Sequence, residues 1–256
     1  MNISVAIQSM IGRIRKNNED NFCVNASCLP LSHGDTPLLC NLLPDSRNHL
    51  LGVFDGMGGY NAGEEASFLA ATTAGKYYPR VAAGEDPGAL LEELCMDANK
   101  AVCEVSKGNR MGTTCALLHL TIGAYTICNV GDSPIFLFRD GLLSQISLDH
   151  NGRRTYEAAT GMPAPLGKKF ALTQCIGIPE DEMLIEPFLA SGTLEPGDVF
   201  LLCSDGVTDM VTQERIGEII STCKEPKEIM KVLVEEALEA GGRDNITAIC
   251  ARAEIG

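Results

Sequence analysis

Four aspartates stand where a strand-like run meets a turn or a glycine-rich stretch. They are Asp55 in Val53-Phe54-Asp55-Gly56-Met57-Gly58-Gly59, Asp132 in Asn129-Val130-Gly131-Asp132-Ser133, Asp205 in Leu201-Leu202-Cys203-Ser204-Asp205-Gly206, and Asp244 in Gly242-Arg243-Asp244-Asn245. Three of them follow apolar runs that read as buried strands. A carboxylate at the end of such a strand is costly unless it is paired or bound to metal. Several converging on one point repel one another, and hard divalent cations relieve that repulsion. The chemistry to expect is that of a metal-dependent enzyme. A further element lies near the N-terminus, where Arg15 precedes Glu19 and Asp20. It reads either as a surface ion pair or as an arginine fork for a phosphate oxygen beside carboxylates.

Each aspartate also has a plainer reading. Asp-Gly is a common turn, and Asp140-Gly141, between two apolar runs, reads as a hairpin turn with no chemistry. Asp205 and Asp244 could likewise sit in a turn or cap, and Asp132 in a hairpin. Asp55 differs, because Gly56, Gly58 and Gly59 let backbone approach a bound group and could offer the Gly56 carbonyl as an extra ligand. The histidines (His33, His49, His119, His150) are scattered. His119 reads as a satisfied core or edge residue, and His150 could flank a site. Without a His/Cys ligand cluster, oxygen donors favour Mg2+ or Mn2+ over Zn2+.

The elements that must position these residues form one domain over residues 1–256, with no linker or repeat. Strands are expected around Asn21–Val24 and Leu50–Phe54, joined by a long loop from Pro30 to His49. Helices follow at Ala62–Tyr78, stopped by Pro79, and at Pro87–Ser106. Strands at Thr113–Ile122, Ala124–Val130, Ile135–Arg139, Met183–Ala190, Asp198–Cys203 and Asn245–Ala253 surround two more helices, Thr212–Cys223 and Pro226–Ala240. Segregated helices and adjacent antiparallel strands give an α+β class, with a central antiparallel sandwich flanked by helices.

The net charge of −14 argues against a nucleic-acid partner. Eleven cysteines without a Cys-x-x-Cys pair suggest neither a disulfide framework nor a zinc site, hence a reducing, cytoplasmic setting. Residues 1–10 lack the pattern of a signal peptide, and no apolar run of membrane-spanning length occurs. No amphipathic stretch is left without a core role, which suggests a monomer.

Taken together, Arg15-x-x-x-Glu19-Asp20, Asp55-Gly56-Met57-Gly58-Gly59, Gly112-Thr113-Thr114, Asn129-Val130-Gly131-Asp132-Ser133, Ser204-Asp205-Gly206-Val207-Thr208-Asp209 and Asp244-Asn245-Ile246-Thr247 resemble the metal-dependent serine/threonine protein phosphatases of type 2C, especially compact bacterial members. Each motif is weak alone; six in the family's order over most of the chain are specific. The resemblance implies a four-layer αββα fold with helix pairs on an antiparallel β-sandwich. It implies two Mn2+ or Mg2+ ions and a third. Asp55 would bridge the first two, with the Gly56 carbonyl on one and Asp205 and Asp244 on the other. Asp132 and Asp205 would hold the third, while Glu19 and Asp20 act through metal-bound water. Arg15 would hold the substrate phosphate, and a water bound to both core metals would attack phosphoserine or phosphothreonine. The partners implied are phosphorylated proteins and an opposing serine/threonine kinase. Two departures stand out. Met57 replaces a histidine proposed as general acid in many eukaryotic members, and residues 151–169, the flap region, are Gly/Pro-rich without a helical pattern. A phosphoprotein-binding module, a hydrolase of small phosphate esters and a structural Ca2+-binding domain are the alternatives.

Overall fold

The computed structural model describes residues 2–44, 48–58, 62–106 and 110–254. Gly59 of the second motif, and residues 45–47 of the expected long loop, lie outside them. In chain order the elements are β1 (Ile3–Met10), β2 (Asp20–Val24), β3 (Ser27–Cys28), β4 (Leu39–Leu43), β5 (His49–Gly58), α1 (Ala62–Ala83) and α2 (Pro87–Ser106). There follow β6 (Met111–Thr113), β7 (Cys115–Thr121), β8 (Ala124–Val130), β9 (Ile135–Arg139), β10 (Leu142–Gln145), α3 (Arg153–Thr160) and β11 (Phe188–Thr193). The chain ends with β12 (Val199–Cys203), α4 (Asp205–Thr208), α5 (Gln213–Thr222), α6 (Pro226–Glu239) and β13 (Ile246–Ala253).

Two antiparallel sheets stack face to face. One runs β10-β9-β12-β13-β1-β4 and the other β11-β8-β7-β5-β2-β3, with β6 on the far end of β5. The period-2 alternation of strand side chains explains why both sheets are covered on both faces. On β13, Ile249, Ala251 and Ala253 enter the core between the sheets, while Ile246, Ala248 and Cys250 face α5 and α6. On β5, Leu51 and Val53 face the sandwich interior, and Leu50 and Phe54 face α1 and α2. Three cores thus separate four layers, in the αββα order that the resemblance implies.

Several expectations need correction. Pro79 does not stop α1, which runs four residues further to Ala83. Burial of Tyr77 and Val81 against α2, and the Arg80 ion pairs with Glu85 and Glu93 (2.8 and 2.9 Å), outweigh the one helical hydrogen bond that proline removes. The long loop contains β4, an edge strand on β1 whose side chains are mostly exposed and so carry no apolar alternation. β1 was not foreseen, although it is an interior strand of its sheet, paired with β13 and β4. The strand expected at Met183–Ala190 lies instead at Phe188–Thr193, an edge strand on β8. The expected run Thr113–Ile122 breaks at Thr114, between β6 and β7. Residues 151–169 do contain a helix, α3, which buries none of its residues and therefore shows no apolar stripe. His119 is buried, yet neither ring nitrogen has a hydrogen-bond partner among the described residues. Asp140-Gly141 is the left-handed turn of the β9–β10 hairpin, as expected (φ 52° and 80°).

Candidate metal centre

Antiparallel pairing brings strand ends and strand starts to one rim. β12 ends at Cys203, opposite Ala248 of β13. Asp205 therefore follows one strand where Asp244 precedes its neighbour. In the second sheet, Asp20 at the start of β2 stands directly opposite Asp55 on β5. Asp132 leaves the end of β8 and crosses to β9 in the other sheet, so the hairpin reading of this segment is wrong.

The glycines and small polar residues of the motifs hold this rim together. A Cβ on Gly206 would lie 1.9 Å from the Asn245 carbonyl oxygen, so only glycine lets the Asp205 turn meet the Asp244 strand. Gly56 is equally confined, since a Cβ there would lie 2.2 Å from the carbonyl oxygens of both Glu19 and Gly63. Asn245 pins the N-terminal loop. Its Nδ2 donates to the carbonyls of Ile11 and Asn17 (both 2.9 Å), and its Oδ1 accepts from the Glu19 amide (2.9 Å). Ser204 Oγ donates to Asp20 Oδ2 (2.8 Å). The Asp55 amide donates to Thr114 Oγ1 (2.9 Å), which bonds in turn to Ser133 Oγ (2.6 Å). Asn151 Nδ2 donates to Asp132 Oδ2 (2.9 Å), and the Gly131 amide donates to His150 Nδ1 (3.1 Å), so His150 does flank the site.

The electrostatics follow from this crowding. Burial, then the neighbouring Asp20, Asp205, Asp244 and Asp132, push the Asp55 carboxyl well above the usual range. Burial lifts Asp20 to about 7 despite the hydrogen bonds from Ser204 and Thr247. Burial also lifts Asp132 to about 6, with Asp205 adding to it. Asp205 is raised by burial as well, although Lys169 opposes this. Burial works to raise Asp244 too, but the hydrogen bond from Arg15 and the charge of Lys169 hold it below its ordinary value.

Two cations meet these carboxylates. Arg15 donates to Asp244 (2.8 Å) and lies 3.8 Å from Glu19. Lys169, from the flap region, places its ammonium 2.5 Å from Asp205, 3.0 Å from Asp209 and 3.3 Å from Asp244. As they stand, no three His, Cys, Asp or Glu side chains among the described residues gather tightly enough to enclose a metal. The ammonium nevertheless marks where a cation is stabilised, and the surrounding donors are hard carboxylate oxygens, as Mg2+ or Mn2+ require. The donor set fits such ions.

All the residues singled out from sequence (Arg15, Glu19, Asp20, Asp55, Gly56, Asp132, Asp205 and Asp244) come to this one rim. Sequence reasoning missed Asp209 and Lys169 as part of it. Asp209 carried a signal, since it sits four residues after Asp205, one helical turn on, and its amide donates to the Asp205 carbonyl (2.7 Å). Lys169 carried none, because only the folded flap brings it here.

The chain is similar to known phosphatases in sequence and in fold. The serine/threonine phosphatase stp of Listeria monocytogenes is 29% identical over 259 residues, covering 95% of this chain and 93% of that protein. The serine/threonine protein phosphatase PstP of Mycobacterium tuberculosis is 31% identical over 258 residues, of which the match spans 44% of the relative's length. The solved catalytic domain of PstP in complex with two manganese ions superposes with a TM-score of 0.75 at 28% identity, over 100% of both chains. Fold and site together define the class, a serine/threonine phosphatase of type 2C. The family model described as Stage II sporulation protein E (SpoIIE) matches residues 45–254, and the chain belongs to that family.

Proposed function

We propose that this enzyme removes phosphate from phosphoserine and phosphothreonine in proteins, using two divalent cations, Mn2+ or Mg2+, and a third. The observation that supports it best is the gathering of five mutually repelling aspartates (Asp20, Asp55, Asp132, Asp205, Asp244) at one rim. Asp55, Asp205 and Asp244, with the Gly56 carbonyl, would hold the two core ions. Asp132 with Asp205 would hold the third, and Glu19 and Asp20 would order the water around them. When bound, the metals supply acidified water and neutralise charge on the phosphoryl group. The guanidinium of Arg15 is about half exposed and gives its hydrogen bond to Asp244, so further N–H groups are free to take a phosphoryl oxygen. Asn245 and Gly206 keep that loop and the carboxylates in register. Met57 has no proton to give, so the leaving oxygen takes its proton from another source.

On this reading the substrates are phosphorylated proteins, a serine/threonine kinase opposes the enzyme in signalling, and it works as a cytoplasmic monomer. Among the described residues no helix is long and apolar enough to cross a membrane. The test is phosphate release from a phosphothreonine peptide and from an aryl phosphate, with Mn2+, Ca2+ or EDTA. Mn2+-dependent release that favours the peptide is expected. Release from the aryl ester alone would point to small phosphate esters, and no release at all would refute the proposal.

A further inference from the structure

The flap carries cations that the catalytic rim does not use. Between Asn151 and Phe170 stand Arg153, Arg154, Lys168 and Lys169 against one carboxylate, Glu157, in a chain of net charge −14. Glu157 is engaged within the flap, where its Oε1 accepts the Ala164 amide (3.0 Å). Lys169 is engaged by the site aspartates. Arg153, Arg154 and Lys168 remain, and among the described residues none of them stands within ion-pair distance of a carboxylate; Arg154 is exposed, whereas Arg153 and Lys168 are packed into the flap. Aromatic faces hold Arg153 and Lys168 instead. The Lys168 ammonium lies 3.5 Å from the Tyr156 ring centre and 5.3 Å from that of Phe170. The Arg153 guanidinium lies 5.9 Å from the Phe170 centre, and its Nε is buried without a hydrogen-bond partner. Asp149 feels the charge of Arg153, but its carboxylate takes its hydrogen bond from Gln145 (2.6 Å).

Arg153, Lys168 and Phe170 line a cavity of about 400 Å³ that also includes Asp132 and Asp205. A cavity of this size is within the range of ligand sites, about 300–1,000 Å³. Its floor is the metal rim and its wall is the flap. Asp149, Asp209 and Glu214 also line it, so the charge of the lining is divided: the cations Arg153, Lys168 and Lys169 stand on the flap side, and a group that meets Arg153 and Lys168 meets positive charge. A guanidinium held on an aromatic ring keeps its planar donors available for a bidentate anion.

We infer that Arg153 and Lys168 form an anion subsite for the residue flanking the phosphorylated one, so that the enzyme prefers phosphopeptides with a neighbouring carboxylate or second phosphate. This rests on the phosphatase reading above. The test compares phosphothreonine peptides with Ala, Glu or phosphoserine beside the phosphothreonine, by kcat/KM with Mn2+ and by fluorescence anisotropy with the same peptides. The wild type should favour the acidic peptides by roughly tenfold, the effect of one charge-assisted hydrogen bond. Arg153→Gln should cut that ratio to within about twofold, while exposed Arg154→Gln keeps it. If Arg153→Gln does not fold, Lys168→Gln and added salt serve, and the ratio should fall in both as the anion contact is weakened or screened. The stronger of the Glu and phosphoserine arms identifies the anion.

A wild type that hydrolyses all three peptides equally overturns the subsite and leaves the phosphatase reading standing. So does a ratio untouched by Arg153→Gln, Lys168→Gln and salt. A protein that hydrolyses none, yet binds the acidic peptides more tightly, keeps the subsite and sinks the phosphatase reading.

Discussion

Raising the pH of the metal-free protein should destabilise it, because several rim carboxyls are raised by burial, and Asp20 is one whose share can be isolated. An aspartate in an unfolded chain titrates near ~3.9. In the fold, burial lifts Asp20 to about 7. The folded state therefore holds this proton more tightly. Its contribution is complete below pH ~4 and is lost as the pH rises through the folded value. The interval from about 4 to about 7, at ~1.36 kcal/mol per pH unit, is worth up to about 4 kcal/mol. Water entry and local relaxation reduce such penalties, so about 2–4 kcal/mol is the expected loss. The assay is urea unfolding of chelator-treated wild type and Asp20→Asn at pH 4.5 and 7.5. Titrating groups remote from the rim contribute to both proteins and cancel in the difference, while Asp55, which faces Asp20 and is raised by its charge, titrates with it, so the difference reports on the pair. Wild type should lose about 2–4 kcal/mol more than the variant over this range, and saturating Mn2+ should reverse the loss by binding only the folded state. Equal pH slopes in the two proteins, or a wild type that gains stability relative to the variant, would refute the reasoning.

Other perturbations give equally definite outcomes. Gly206→Ala must move backbone, since its Cβ would sit 1.9 Å from the Asn245 oxygen; unfolding titrations should show a loss of about 1–3 kcal/mol and calorimetry a weaker Mn2+ affinity. Lys169→Met leaves Asp205, Asp209 and Asp244 without their shared cation, so the metal-free melting temperature should fall while the rise on adding Mn2+ grows. Asp198→Ala removes a buried partner of Arg139 at 2.6 Å far from the site while Glu195 still pairs with that arginine, and should cost about 1–3 kcal/mol in unfolding experiments without changing Mn2+ affinity.

The layering was legible because strands buried on both faces read as continuous apolar runs, and because α2 and α6 carry long apolar stripes. The site was legible because its carboxylates sit in turns whose glycines are demanded by close backbone approach, as at Gly56 and Gly206. Elements whose side chains face solvent were not. β4 and α3 bury almost nothing, so no periodicity betrays them. Pro79 misled because local propensity points one way and the burial of Val81 the other. Lys169 and Arg153 gain their meaning only when the flap folds over the rim, a long-range relation that no local spacing encodes.

The central claim is that Asp55, Asp205 and Asp244 hold the cations that make phosphate release possible. It is tested most directly by measuring bound Mn2+ and phosphate release from a phosphothreonine peptide in the same samples of wild type and Asp205→Asn. The account predicts that wild type binds at least two Mn2+ and releases phosphate, and that the variant loses metal affinity and turnover together. Wild-type turnover in Asp205→Asn at limiting Mn2+ would contradict it.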